Sequence, residues 1–368
     1  MYPKRHFKNL DGSRFFAFLL VFLAHCFTTS NAALRESAFF QGIYTWGKIG
    51  VLGLEYFFVL SSFLITWIIF EEKKFTADLS IGKFLIRRIL RVWPLYFTIV
   101  LLGYGGYFLL TNVGITLSEL PPLSYFLLFI VNFYVIYNGQ EFLFFLVFLW
   151  SISIEEQFYL VWPVLLKYVK SSFPLICMLM VVISVAFRFY AIDNDRQLLF
   201  NTISTLGNFG IGGILAYAAF FNKKIILPVL NLSKTVRILI YLLLLVSILF
   251  YHQLIENTVI YALSRLYFSL LYVFVIVDQA FHESPVFHMG KNKWLDYFGK
   301  ISYGLYCYHG VIITALILIQ RHTSYPQTGL IVFLWQPVII FIFTLLLSSI
   351  SYRFVESRFL RLKKKFYA

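Results

Sequence analysis

Ten runs of predominantly apolar residues, each about as long as a bilayer crossing, recur along this chain of 368 residues. A helix needs roughly 20 apolar residues to cross the hydrocarbon core of a membrane. The runs cover 13–30, 48–70, 92–110, 146–168, 174–191, 203–221, 236–252, 258–280, 301–320 and 331–354. The pattern predicts an all-α integral membrane protein with about ten transmembrane helices.

The composition excludes the other broad classes. Apolar residues make up 60% of the chain and charged residues 13%, whereas soluble domains hold about 45–50% and about 25%. The 31 basic residues exceed the 17 acidic ones, which in a soluble protein would suggest nucleic acid. In a membrane protein such an excess marks the cytoplasmic loops, so we expect membrane lipids, and no nucleic acid, as partners.

An eleventh run, 125–137, is shorter than the others and is closed by Asn138-Gly139. If it dips into the membrane and returns, 25 of the 31 basic residues share one side. If this run crosses the membrane instead, every later segment is inverted and the basic residues no longer share one side. We therefore predict one short re-entrant or interfacial helix, which would form a cavity wall. We expect residues 1–368 to form a single multi-pass domain of the inner (plasma) membrane, with both termini cytoplasmic.

The first run carries two ionisable residues, Arg14 and His25, eleven positions apart. On a helix this spacing returns to within about 20° of the same face, about 16 Å further along the axis. The two would form a column with one end suited to a phosphate and the other to proton transfer. The alternative is a histidine bonded between helices and an arginine that reaches the lipid headgroups.

Two further polar clusters stand at the ends of apolar runs. Arg88 and Arg91 share a helix face and suit a phosphate, although anionic lipid is the alternative ligand. Glu155 and Glu156 point about 100° apart on a helix, so at most one faces a cavity. The alternative for this pair is a solvated helix start.

Six segments, taken in order, resemble one family. They are Leu10–Arg14 with His25, Phe57–Ile65, Arg88–Arg91 with Pro94-Leu95-Tyr96, Trp150–Tyr159, Ser302–His309 and Tyr352–Phe359. Together they resemble the membrane acyltransferase 3 family, which O-acetylates bacterial surface polysaccharides, peptidoglycan and lipopolysaccharide. The resemblance covers about residues 8–362. Because the chain ends at Ala368, we expect no SGNH-type domain after the membrane part.

The resemblance implies transfer of an acyl group, usually acetyl, from cytoplasmic acyl-CoA to a hydroxyl of a cell-surface or lipid-linked carbohydrate. It implies that His25 is catalytic, either as general base or as an acyl carrier, with Glu155 to orient its imidazole. The basic residues proposed to bind acyl-CoA are Arg14, Arg88 and Arg91. The residues proposed to line the cavity are Asp11, Ser61, Tyr159, Tyr303 and His309, with Asp11 as a helix cap or partner of Arg14.

Acetyl-CoA would be a substrate, and no permanently bound cofactor or metal is expected, since the three cysteines have no metal-ligand spacing. Arg188 and Arg265 lie near the outer ends of their runs and would bind the diphosphate of a lipid-linked acceptor. The alternative is that their side chains extend to the lipid headgroups. A competing function is a proton-coupled transporter or flippase, because intramembrane Arg, His and Glu also serve transport. Only an acyltransferase would consume acyl-CoA in a His25-dependent way.

Overall fold

A computed structural model describes residues 5–169 and 172–366. In these ranges there is no strand, and ten helices have 16 or more residues. They are α1 (Lys8–His25), α2 (Gly50–Thr76), α3 (Ile81–Asn112), α4 (Leu149–Tyr168), α5 (Phe173–Tyr190), α6 (Thr202–Phe221), α7 (Lys234–Leu249), α8 (Thr258–Phe281), α9 (Ser302–His322) and α10 (Gln336–Ser351). The predicted all-α fold is confirmed.

Seven segments of the described chain are long and apolar enough to cross a membrane. They contain α2, α4, α5, α6, α8, α9 and α10. The other three long helices are α1, which carries the charged residues Lys8, Asp11 and Arg14, α3, whose first eleven residues include four basic ones, and α7, which has only 16 residues. The protein is a multi-pass membrane protein, and the number of ten crossings stays a prediction.

The chain turns tightly between α2 and α3. Ala77 takes a left-handed conformation (φ 62°) and ends α2, and the Ser80 hydroxyl accepts from the Lys83 amide at the start of α3. The Lys167 ammonium lies 2.9 Å from Asp78 Oδ2, which ties α4 to the same turn. This turn marks one end of the helix bundle, called here the basic end.

Long-range hydrogen bonds gather other segments at the basic end. The Gly290 amide donates to Asn9 Oδ1 (2.7 Å), and Arg87 donates to the carbonyl of Phe366 (2.8 Å). Arg87 also pairs with Glu72 near the end of α2. The first contact joins the start of α1 to the loop before α9, and the other two join the C-terminal segment and the end of α2 to the start of α3. Both sets agree with the predicted location of these segments on one side of the membrane.

Glycines allow close approach of the central helices. A Cβ on Gly53 of α2 would meet the Ala17 carbonyl of α1, and one on Gly212 of α6 would meet the Val59 carbonyl of α2. Small residues at helix contacts are the usual means of packing in membranes, where the hydrophobic effect gives little drive for association. This packing fixes α1 and α2 side by side, and both line the site described below.

The predicted short segment is two helices, Leu123–Leu127 and Val131–Asn138, broken at Phe129 (φ 54°). Eight helical residues extend only about 12 Å, too short to cross a core of about 30 Å. The Gln157 amide of α4 donates to the Phe129 carbonyl (2.7 Å), so the segment packs against α4. Its predicted role as a cavity wall was wrong, because 125–137 line neither cavity described below.

Candidate active site

Two large cavities lie between the helices that the structure describes, one nearer each end of the bundle. The first has about 270 Å³ and lies nearer the basic end, and the second has about 520 Å³. Charged lining residues of the first are Arg5, Arg14, Arg88, Arg91, Lys363, Asp11 and Glu155. Those of the second are Lys48, Arg188, Arg265, Glu55, Asp195 and Glu256. The first cavity is lined by five basic and two acidic residues and is called here the basic cavity. The second is lined by three basic and three acidic residues and is called the neutral cavity.

The basic cavity brings together most of the residues selected from the sequence. Eight of the ten line it: Asp11, Arg14, Ser61, Arg88, Arg91, Glu155, Tyr159 and Tyr303. Arg14 Nη1 lies 2.6 Å from Asp11 Oδ1, so Asp11 is the arginine's partner. Arg88 and Arg91 reach the cavity from α3, as their shared face predicts. The excess of guanidinium groups makes this cavity suited to an anion carrying phosphates.

Of the two adjacent glutamates, only Glu155 faces a cavity. It accepts hydrogen bonds from Ser61 Oγ (2.9 Å) and from the Tyr159 hydroxyl (2.9 Å). Glu156 is buried and accepts from Trp93 Nε1 (2.9 Å). The expected bond between Glu155 and His25 is not formed, because the two side chains line different cavities. Glu155 instead organises the polar wall of the basic cavity.

His25 is the last residue of α1 and lines the neutral cavity. Its Nδ1 lies 2.7 Å from the carbonyl of Val21. A carbonyl only accepts, so Nδ1 carries the proton in the neutral ring and Nε2 keeps a lone pair. The rings of Phe144 and Phe148 pack against the imidazole, with centroids 5.7 and 4.7 Å away. His25 thus offers one basic nitrogen in a largely apolar surrounding.

His309 lines neither cavity, which corrects its predicted position. It is fully buried, its Nδ1 bonds to the Tyr306 carbonyl, and its ring centroid lies 5.8 Å from that of His25. Phe148 stacks on it at 4.8 Å. His309 therefore packs behind the catalytic candidate.

Tyr306 and Leu54 line both cavities and separate them. The Tyr306 hydroxyl donates to the carbonyl of Phe148 (3.0 Å) and lies 2.7 Å from Ser151 Oγ. The tyrosine is thereby fixed between α9 and the start of α4. Tyr303, one turn earlier on α9, is also bonded, to the Val92 carbonyl (3.0 Å).

The two outer arginines are engaged within the protein. Arg188 donates to the carbonyls of Ala262, Tyr261 and Leu198 and to Ser204 Oγ. Arg265 Nε lies 3.1 Å from Glu55 Oε1. Both side chains are buried and line the neutral cavity, so neither reaches lipid headgroups, and their binding of a lipid diphosphate stays a prediction. Glu55 was not selected from the sequence, although a carboxylate inside an apolar run is a signal of function.

Two buried glutamines hold the loop that follows His25. Gln336 Nε2 donates to the carbonyls of Cys26 and Thr28, both at 2.9 Å. Gln320 Nε2 donates to the Thr28 carbonyl (3.1 Å) and to Gln336 Oε1 (3.0 Å). Nothing in the local sequence marks these glutamines, since their partners lie about 300 positions away.

No group of three or more His, Cys, Asp or Glu side chains suited to a metal ion occurs in the part of the chain that the structure describes. Cys26, Cys177 and Cys307 are buried free thiols.

Comparison with known proteins identifies the kind of chain. A family model described as an acyltransferase domain matches residues 7–353. Peptidoglycan O-acetyltransferase OatA of Listeria monocytogenes is 26% identical over 97% of this chain and 56% of its own length. O-acetyltransferase OatA of Staphylococcus aureus is 27% identical over 97% and 58%. The chain thus spans little more than half the length of these relatives, and no solved structure gives a significant match.

Proposed function

Because this chain belongs to the acyltransferase domain family, we propose that it transfers an acetyl group from acyl-CoA to a hydroxyl of a cell-wall or lipid-linked carbohydrate. The observation that carries the proposal is the placement of α1, which bears Arg14 in the basic cavity and His25 in the neutral cavity. One helix thus joins an anion site to a basic nitrogen. The names of the relatives, peptidoglycan O-acetyltransferase among them, support a cell-wall acceptor.

The donor enters from the basic end. Arg14, Arg88 and Arg91 would hold the phosphates of CoA, since guanidinium groups bind phosphate oxygens in pairs. The thioester arm would then extend past Leu54 and Tyr306, the two side chains common to both cavities. This orientation places the acetyl carbon beside His25 and requires the basic end to face the cytoplasm, where acyl-CoA is made.

The transfer breaks the thioester C–S bond and forms an ester C–O bond. His25 Nε2 would take the proton of the acceptor hydroxyl as that oxygen attacks the acetyl carbon. CoA leaves as a thiolate, which takes this proton from the imidazolium. In the other route, Nε2 attacks the thioester first and CoA leaves as a thiolate. The acetyl-imidazole then passes the group to the hydroxyl, whose proton goes to the CoA thiolate. Nδ1, bonded to the Val21 carbonyl, steadies the ring in either route.

The test measures release of free CoA and transfer of labelled acetyl by the purified full-length protein in detergent. We expect His25→Ala to lower CoA release at least about 100-fold, with a circular dichroism spectrum and melting temperature like those of the wild type. Arg91→Ala should raise the KM for acetyl-CoA about ten-fold, because one charge-assisted contact is lost. If an acetyl group is found covalently bound to His25 when no acceptor is present, the reaction follows the second route.

Lys83→Ala is the matched control, because Lys83 is an exposed basic residue on the same helix as Arg91 and lines neither cavity. It should leave KM unchanged. If folded wild-type protein never consumes acetyl-CoA, the proposed activity is wrong. A flux assay in proteoliposomes would then test the alternative function, transport.

A further inference from the structure

Two basic residues of the basic cavity take no part in the proposed reaction. Arg5 lies in the N-terminal segment that precedes α1, and Lys363 is the last residue of the C-terminal helix Ser357–Lys363. Arg5 is exposed and Lys363 is half-buried. The N-terminal and C-terminal segments thus each bring one cation to the same cavity.

Arg5 lies nearer the basic end than Arg14 does. The first residue of α1 is Lys8, and Arg14 lies about 9 Å further along the helix axis. Arg5 comes before this helix begins. It therefore lines the cavity at a level closer to the solution than Arg14.

Lys363 lies at a similar level on the other wall. The carbonyl of Phe366, just after Lys363 in the C-terminal segment, accepts a hydrogen bond from Arg87 of α3 (2.8 Å). Arg91 is one turn further along α3, about 6 Å from Arg87 along the axis. Arg5 and Lys363 are called here the outer basic layer of the cavity, and Arg14, Arg88 and Arg91 its inner layer.

The guanidinium of Arg5 is held in place by its neighbours. It lies over the rings of Phe7 and Phe281, at 5.0 and 4.9 Å from their centroids, and donates to the carbonyl of Ala280 (3.1 Å). The backbone amide of Arg5 donates to Glu71 Oε1 (3.2 Å). A guanidinium stacked on aromatic faces keeps a fork of N–H donors along its edge for an anion.

The charge of the inner layer does not match that of a whole CoA molecule. Arg14 lies 2.6 Å from Asp11, and Glu155 also lines the cavity, so three basic groups face two carboxylates. CoA carries a diphosphate and, on its ribose, a separate 3′-phosphate, and a phosphomonoester has a charge of about −1.5 to −2 at pH 7. Further cations are needed for this second anionic group.

We propose that Arg5 and Lys363 bind the 3′-phosphate of the CoA donor, outside the diphosphate held by the inner layer. This rests on the proposed function and specifies how its donor is selected. Dephospho-CoA, which lacks only the 3′-phosphate, binds more weakly as a result. The headgroup of an anionic lipid offers similar phosphate chemistry, so the experiment has an arm for each source.

The experiment is isothermal titration calorimetry of the purified full-length protein in detergent, with CoA and with dephospho-CoA. Neither probe carries an acyl group, so no turnover interferes. The wild type should bind CoA at least about ten-fold more tightly than dephospho-CoA, because the charge-assisted contacts to one phosphate are absent from the second complex.

Arg5→Gln and Lys363→Gln should each lower this preference about three-fold, and the double variant should bind the two probes within about two-fold of each other. The Kd for dephospho-CoA should stay within about two-fold of the wild-type value throughout. Arg91→Ala should instead weaken both probes by a similar factor, since both contain the diphosphate.

Lys365→Gln is the matched control. Lys365 is an exposed basic residue of the same C-terminal segment as Lys363 and lines neither cavity. It removes the same charge from the same end of the molecule, so a preference that falls equally in this variant would reflect the general electrostatic field and contradict a site.

Equal affinity of the wild type for CoA and dephospho-CoA would overturn the proposal, and so would an unchanged preference in the double variant. Short-chain phosphatidylglycerol is titrated in parallel. If the double variant loses binding of this lipid while its preference for CoA persists, the outer layer binds lipid headgroups and the proposal is wrong.

Acetyl-CoA consumption is measured separately on the same preparation. If CoA is bound with the expected preference but acetyl-CoA is never consumed, the proposed function fails and the phosphate site stands. If acetyl-CoA is consumed without any preference for the 3′-phosphate, only the assignment of Arg5 and Lys363 is refuted.

Discussion

His25 stands at the point where α1 gives way to a loop, and side chains from distant parts of the chain hold that loop. Gln336 and Gln320 bond the carbonyls of residues 26 and 28. Cys26 is the residue that caps the C-terminal end of α1, where the helix itself supplies no donors, and Thr28 lies two residues further along the loop. The glutamines therefore fix the end of α1, and with it the direction in which the imidazole points.

Replacing Gln336 by Leu should misplace His25 without touching either substrate. A shift of about 1 Å at a catalytic group costs roughly 100-fold in rate, so we expect kcat to fall by about 10- to 100-fold while the KM for acetyl-CoA stays within about two-fold. Steady-state kinetics on purified protein measures both. Gln327→Leu is the control, because Gln327 is half-buried and bonds residues 29–31 further along the same loop. Equal losses from both variants would refute a positioning role for Gln336.

The local sequence predicts some of these residues and misses others for a physical reason. Arg14 and Glu155 stand out because a charge in an apolar run is costly and visible at once, and Arg88 and Arg91 stand out because they share a helix face just before such a run. The partner of each group is not visible, since contacts between helices depend on tertiary packing. For this reason Glu155 was assigned to His25 although it bonds Ser61 and Tyr159, and Gln336 was not selected.

At the scale of helices, contact between α1 and α2 depends on Gly53. A Cβ there would overlap the backbone carbonyl of Ala17, and backbone yields less readily than a side chain. The helices would have to separate, and α1 carries both Arg14 and His25. Packing of these two helices therefore governs the geometry of both cavities.

Gly53→Ala should destabilise the protein by about 1–3 kcal/mol, the usual cost of overpacking, and lower its activity. Gly106→Ala on α3 is the control, because nothing lies within 4 Å of its Cβ position and alanine favours helix by about 0.5–1 kcal/mol. Melting temperatures in one detergent compare the two. A Gly53→Ala variant as stable as the wild type would contradict the close packing.

Apolar periodicity predicted the helices well, and each of the ten runs overlaps one of the ten long helices. It did not predict their ends. The run 92–110 lies within a helix that begins at Ile81 and continues through Pro94, because the preceding basic turn is helical although it is polar. Helix length follows from caps and tertiary contacts, whereas hydropathy reports only the part in contact with lipid or core.

On the scale of the whole molecule, charge is distributed along one axis. Basic loops, the N-terminal segment and the C-terminal segment gather at one end, and the cationic cavity lies nearer that end than the neutral one. Basic loops stay in the cytoplasm during membrane insertion. The same asymmetry that orients the protein would thus place its anion site toward the compartment that supplies acyl-CoA.

Cysteine labelling in intact cells tests this orientation. Glu119→Cys, in the exposed loop after α3, should react with a membrane-impermeant maleimide, and Lys293→Cys should react only after permeabilisation. Both positions are exposed, and the native cysteines are buried, so the wild type should give little background. Labelling of Lys293→Cys in sealed cells would show that the membrane orientation is the opposite of the one proposed.

Tyr306 separates two cavities that approach each other from opposite ends of the bundle. If water fills both, each stays close to the electrical potential of the solution on its own side. Nearly all of the membrane voltage then falls across the short stretch around Tyr306 and Leu54. A unit charge that crosses the full voltage gains or loses about 2.3 kcal/mol per 100 mV. If a proton or an anion moves past Tyr306 during turnover, the turnover rate would therefore depend on the membrane voltage.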